Sequence, residues 1–379
     1  MKYFSRSNQS FLSQWWWTLD KVLLGLILIL MVFGIALVAT ASPPVALRIG
    51  LNEYHFLFRH LLILVVSFAI MIGVSMLGVR QIWRFSFVMM VGSFFALVYV
   101  LFFGSEIKGA QRWIHLPGFS LQPSEFAKSS FIVVVAWLLS IKKQKKDFPA
   151  IKIISAIFAF LIGLIILQPD IGTTFIIISG FLTVIFLAGL PFRLITLLFC
   201  AGVGLFIIIY FSFSHFQSRI NRFINPESGD TFQIEKSLDA FRQGGILGTG
   251  PGQGNVKLSI PDSHSDFIFS VAGEELGLFF ILILVCVYAV IVIRGLNKIM
   301  DNNDIFVVLA GGGILAIFGV QTVIHMGSAL SLLPTKGMTL PFISYGGSSL
   351  LSMSVAMGMV LALTRRSARS GIIAKKNKN

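Results

Sequence analysis

Four carboxylates, a histidine and a lysine share one short polar stretch. Asp262, His264, Asp266, Glu274 and Glu275 fall within 14 residues, just downstream of Lys257. Glycines at 244, 245, 248, 250, 252 and 254, with Pro251 and Pro261, forbid a regular helix until about Asp266, where the apolar pattern resumes as FIFSVAG. Asp266 therefore stands where irregular chain enters a hydrophobic helix. A carboxylate is expensive to desolvate at such a boundary, so its default reading is functional, with helix capping as the structural alternative. The chemistry available to one carboxylate here is proton abstraction as a general base. His264 is read first as a packing or surface residue and second as a substrate contact.

Other motifs join this stretch. KGAQRW puts two cations, Lys108 and Arg112, and an indole in one loop; QPSEFAK places Glu125 and Lys128 three residues apart on one helix face, as either a structural ion pair or a functional one. QPDIGTT reads as a tight turn with Asp170 at a helix start. LPTKG leads into LPFISYGGSS, where Ser344 and Gly346 could permit close helix packing or backbone approach to a bound headgroup. Cations for an anionic substrate are Lys108, Arg112, Lys257 and Lys336, and no histidine cluster has metal-ligand spacing.

These residues need a frame, and composition says which. With 56% hydrophobic and only 12% charged residues, and a mean hydropathy of +0.87, the chain is an all-α polytopic membrane protein rather than a soluble globule. Apolar stretches at 22–41, 58–77, 84–103, 124–141, 151–167, 173–190, 193–212, 267–293, 305–327 and 344–363 give ten transmembrane helices. Lys and Arg of the N-terminal segment (1–21), of alternate connections and of the tail (365–379) collect on one side, which places both termini in the cytoplasm around a membrane domain over 22–364. The net charge of +14 is thereby topological and argues against nucleic acid. The large loop between spans 7 and 8, residues 213–265, is extracytoplasmic, with FQIEKSLDAF as a short helix on the membrane surface. Trp15, Trp16 and Trp17 read as an interfacial anchor. Ala39-Thr40-Ala41 has the form of a signal-peptidase site, but its apolar core is too long for a signal peptide. Cys200 and Cys286 lie in apolar runs, which argues against a disulfide or a cysteine metal site.

GAQRWI, QPSEFAK, QPDIGTT, DAFRQGGILGTGPGQG, IPDSHSDFIFSVAGEELG and LPFISYGGSSL, in this order through ten spans, resemble the SEDS family of shape, elongation, division and sporulation proteins, in wording closer to its division branch than to its elongation branch. The resemblance covers residues 20 to 366. It implies a peptidoglycan glycosyltransferase that polymerises lipid II at the outer face of the bacterial cytoplasmic membrane, at the septum for the division branch. The family's essential aspartate falls on Asp266, and its glutamate and lysine of the fourth span fall on Glu125 and Lys128. Implied partners are a class B penicillin-binding transpeptidase, other division membrane proteins and membrane lipids; a divalent cation, Mg or Mn, could accompany the diphosphate. One departure is His325-Met326-Gly327, where division members commonly carry asparagine, and it alters the cavity wall. A lipid II flippase and a division scaffold are the competing readings: intramembrane charges favour the first, and the second leaves Asp266 unexplained.

Overall fold

Asp20 opens the first long helix by accepting the Val22 and Leu23 amides, both at 3.1 Å, so the orphan donors of that terminus are satisfied. The computed structural model describes residues 10–107, 110–116, 119–189, 232–334 and 337–365, with isolated positions between 196 and 221. Its elements are α1 (Phe11–Thr18), α2 (Lys21–Arg48), α3 (His55–Ser75), α4 (Val79–Phe103), β1 (Ser105–Ile107), β2 (Ala110–Leu116), β3 (Phe119–Leu121), α5 (Pro123–Gln144), α6 (Ala150–Leu167) and α7 (Ile171–Leu187). Within the large loop lies α8 (Phe232–Gly244), and after it come α9 (Ile268–Met300), α10 (Ile305–Ala329) and α11 (Gly347–Leu363).

Among the described residues, seven helices are long and apolar enough to cross a membrane, namely α2 to α6, α9 and α10; α7 and α11 are shorter apolar helices. The expected span at 193–212 lies largely outside the described residues. The chain is an integral membrane protein, but not purely helical. The strands form a small antiparallel sheet in the order β1-β2-β3, with Ile114 opposite Leu121 and Leu116 opposite Phe119.

The two ends of the bundle differ chemically. At one, Arg294 of α9 holds the Asp20 carboxylate at 2.9 Å, and Arg365 donates to the Leu77 carbonyl at 2.5 Å. The α3–α4, α5–α6 and α9–α10 connections share this end, with Arg80, Arg84, Lys142, Lys143 and Lys298. At the other end lie the sheet, the Gly244–Asp266 stretch and the loop before α11. Small residues let the helices close. A Cβ on Gly358 of α11 would sit 2.7 Å from the Met71 carbonyl of α3, and one on Gly180 of α7 would sit 2.7 Å from Ile317 of α10.

One sequence expectation is corrected here and another is extended. The tryptophans are not a uniform anchor: Trp15 is buried and its Nε1 donates to Ser75 Oγ at 3.0 Å, because indole in a core needs a partner for its N–H, while Trp16 and Trp17 stack against the Lys21 ammonium. FQIEKSLDAF is helical, as expected, and it also packs on the bundle. Ser237 is fully buried, sharing a 2.6 Å hydrogen bond with Ser270 and donating to the Ala329 carbonyl.

The glycine-rich segment has a structural reason. α9 breaks at Gly277, whose φ is 75° and ψ −179°, so the carbonyls of Glu274 and Glu275 lose their helical donors. Thr249 and Gly250 donate to those carbonyls at 2.9 and 3.0 Å, and in exchange Leu278 and Phe279 donate to Gly245 and Ile246 at 2.9 and 3.1 Å. The two backbones lie so close that a Cβ on Gly277, Gly248 or Gly244 would overlap the opposite chain. Gly277→Ala should therefore destabilise the fold by about 1 to 3 kcal/mol from its backbone conformation alone, with the overlap added. Thermal unfolding in detergent reads this; an unchanged midpoint would remove the backbone exchange as a determinant of the fold.

Candidate active site

Asp266 occupies a turn directly before α9, half-buried, with its amide donating to the Asp262 carbonyl at 3.1 Å. Asp262 adopts a left-handed φ of 54°, uncommon for a residue with a side chain and tolerated best by Asp and Asn. The segment is pinned from the other side. Ser344 donates to the Ser265 carbonyl at 2.7 Å and accepts from the Leu340 amide at 2.8 Å, while the Tyr345 amide donates to the His264 carbonyl at 3.0 Å. Phe342 in the same loop also has a left-handed φ, 64°. Exposed Gly337 lies against the carboxylate: a Cβ there would stand 2.8 Å from Asp266 Oδ2.

The other charges of the stretch have different tasks. Pro44 inside α2 has no N–H, so the Thr40 carbonyl is left without a helical donor. Lys257 fills the gap: its Nζ donates to Thr40 O at 3.0 Å and ion-pairs with Glu275, both side chains being buried. Ser263 donates to the neighbouring Ala41 carbonyl at 3.0 Å. Glu274, fully buried, accepts the Val256 and Lys257 amides at 2.7 and 2.9 Å. Lys257 was expected to face an anionic substrate; the structure instead spends it inside, where Glu275 neutralises it and a proline-freed carbonyl orients it. Glu274 and Glu275 fasten the loop that carries Asp266. The Ala39-Thr40-Ala41 triplet lies within α2, with Ala41 buried.

Arg112 is likewise engaged. Its Nε donates to Gln168 O at 2.9 Å and a terminal nitrogen donates to Pro169 O. These neutral carbonyls offer no counter-charge, and the two bonds hold the turn before α7. Asp170 caps that helix through Thr173 and accepts Gln122 Nε2 at 3.2 Å. Lys108 and Lys336 lie outside the described residues. Ser344 is buried and tied to backbone as above, and Gly346 is half-buried, facing Thr339 and Ser349.

Within the bundle, Lys128 and Glu125 meet at 2.7 Å with side chains 2% and 11% exposed. Lys128 also donates to Gln321 Oε1 at 2.7 Å, Ser352 donates to Glu125 Oε2 at 3.1 Å, and Gln321 Nε2 reaches Thr339 O at 3.0 Å. The pair thus links α5 to α10, α11 and the Gly337 loop. Gln321 and Ser352 carried no signal in the sequence, since neither has a motif or a charge. Arg59 of α3 was also missed; its charge acts on the Tyr345 phenol.

His264 is buried between Phe56 and Tyr345, with ring centroids at 4.5 and 5.1 Å. Burial lowers its pKa from 6.5 to about 4, with Asp262 pulling the other way. The unfolded chain takes this proton near 6.5 and the folded one only near 4. Stability is therefore lost as pH falls through that window. His264→Phe should flatten the decline between pH 7.5 and 5 by about 2 to 4 °C; a decline as steep as that of wild type would show that His264 is not its source.

A polytopic membrane protein with a buried ion pair in its bundle and a half-buried carboxylate at the end opposite its basic connections is the class these observations define. The family model described as cell cycle protein, covering FtsW, RodA and SpoVE, matches residues 20–369. The chain is 40% identical over 367 residues to the "Probable peptidoglycan glycosyltransferase FtsW" of Caulobacter vibrioides, covering 96% of this chain and 93% of that protein. It is 36% identical to the protein of the same name in Trichlorobacter lovleyi, covering 91% and 93%. Among solved structures, one described as "Structural coordination of polymerization and crosslinking by a peptidoglycan synthase complex" superposes with a TM-score of 0.76 at 25% identity, covering 91% of this chain and 97% of that one. The rod shape determining protein RodA of Thermus thermophilus shares the fold, with a TM-score of 0.68 at 24% identity over 92% of this chain and 97% of that one. The chain belongs to the FtsW, RodA and SpoVE family, the SEDS proteins, and among them is most like FtsW.

Proposed function

We propose that this member of a family of peptidoglycan glycosyltransferases polymerises lipid II into glycan strands on the outer face of the cytoplasmic membrane during septal wall synthesis, with Asp266 as general base. The observation that carries this reading is the half-buried Asp266 carboxylate, set against exposed Gly337 at the end of the bundle away from the basic connections. The acceptor sugar's hydroxyl loses its proton to Asp266 as its oxygen attacks the donor's anomeric carbon; the bond to the lipid diphosphate breaks, with inversion. Diphosphate is already a good leaving group, so no second carboxyl acid is required, unlike glycoside hydrolysis.

Arg112, held at the turn before α7, is a candidate cation for the diphosphate, with Lys108 and Lys336 as further cations from their place in the sequence. The described residues contain no group of three His, Cys, Asp or Glu side chains set to hold a metal; a divalent ion, Mg or Mn, would enter with the diphosphate. With the segment at 193–212 as a further crossing, the membrane domain has ten spans and both termini, including the tail from 365, are cytoplasmic. A class B penicillin-binding transpeptidase is the proposed partner, supported by the likeness to a complex that couples polymerization to crosslinking. Elongation-type synthesis by the same chemistry is the nearest alternative; midcell rather than lateral foci of a fluorescent fusion would decide for the septum. Vesicles containing the purified protein, its partner and labelled lipid II test the activity. Glycan strands are expected, and translocation of lipid II without polymer would identify a flippase instead.

A further inference from the structure

Gln321 and His325 lie one helical turn apart on α10 and are both buried, 2% and 0% exposed. Each reaches the same short stretch of irregular chain. Gln321 Nε2 donates to the Thr339 carbonyl at 3.0 Å, and His325 Nδ1 stands 2.6 Å from the Met338 carbonyl. A carbonyl only accepts, so Nδ1 carries the hydrogen and the tautomer of His325 is set by this bond. The two carbonyls are consecutive and follow directly on Gly337, the residue whose backbone lies against Asp266 Oδ2. The other end of the Gln321 amide accepts Lys128, which holds Glu125.

Polar side chains buried among the apolar residues of a membrane helix are costly, and here each reaches backbone that no regular secondary structure would otherwise hold. We propose that Gln321 and His325 are positioning residues for the Asp266 carboxylate. Their two-point clamp on Met338 and Thr339 sets how closely Gly337 approaches the carboxylate, and the Gln321 amide passes the state of the Glu125–Lys128 pair to that loop. The inference rests on Asp266 being the general base. A displacement of about 1 Å at a reacting group costs on the order of 100-fold in rate, so the clamp acts on turnover more than on substrate affinity.

The test uses the full chain with its transpeptidase partner and labelled lipid II, comparing His325→Leu, His325→Asn and Gln321→Glu. Leucine removes the donor; the asparagine amide places an N–H close to where Nδ1 stood; glutamate keeps the acceptor for Lys128 but loses the donor to Thr339. His325→Leu and Gln321→Glu should lower kcat by about 10- to 100-fold with KM within about twofold, and His325→Asn should stay within about threefold of wild type. Amide hydrogen exchange at Met338, Thr339 and Leu340 should quicken in His325→Leu and Gln321→Glu and not in His325→Asn. Wild-type kcat in His325→Leu or Gln321→Glu, a loss in KM alone, or unchanged exchange in both would overturn the clamp. Polymer from Asp266→Asn at the wild-type rate would instead remove the general base itself. A dead Asp266→Asn beside fully active His325→Leu and Gln321→Glu would sink this inference alone.

Discussion

Lys128→Ala should leave a protein that unfolds far more readily than wild type and makes no glycan. The side chain is 2% exposed and ion-paired to Glu125 at 2.7 Å, so its removal leaves a buried carboxylate with its cation gone and Ser352 as a neutral donor. Breaking a buried pair from one side costs about 3 to 5 kcal/mol, mostly the penalty of the abandoned charge. Gln321 loses its partner as well, and with it one of the contacts that orient its amide toward Thr339. Glu125→Gln is the milder change, because the amide oxygen still accepts from Lys128. Replacing both by Leu and Met separates structure from function. An apolar pair of similar volume should recover much of the lost unfolding midpoint, yet the variant should stay inactive because Gln321 remains without its cation. Full polymerisation by the apolar pair would reduce Glu125 and Lys128 to packing.

Asp266→Asn should keep the fold and lose the reaction. The amide has the shape of the carboxylate and sits at the same half-buried turn, held by the Asp262 carbonyl and by Ser344 and Tyr345 through backbone, so neither the loop nor the bundle need move. What disappears is the ability to take a proton. A positioned general base contributes about 100- to 10,000-fold, and kcat should fall by that order while KM for lipid II changes little. Asp266→Glu retains a base but advances it by one methylene toward Gly337, where the space is already short. Its activity should fall between the two. Parallel thermal unfolding checks that the three proteins are equally folded.

The position of Asp266 was legible because local signals surround it: glycines and prolines that exclude a helix, then an apolar run that demands one. Hydropathy likewise located the apolar helices among the described residues, since lipid requires long apolar segments whatever they pack against. Glu125 and Lys128 could be paired from their spacing alone. Contacts between distant segments were not legible. Lys257 reads as an outward cation until Pro44, far away in sequence, is seen to free the Thr40 carbonyl it fills. Gln321 and Ser352 sit in apolar helices with nothing to distinguish them until α5 is laid beside α10 and α11. The β2–β3 pairing has one local signal, a Pro-Gly pair at 117–118 between short apolar runs, which hydropathy alone does not single out.

Glycan chain length, resolved on a gel from labelled lipid II and purified protein with its transpeptidase partner, bears most directly on the central claim. Wild type should give a ladder of strands and Asp266→Asn none, with both proteins folded and both binding lipid II. A ladder of equal length and yield from Asp266→Asn would contradict the account, because no other described side chain has been assigned the proton.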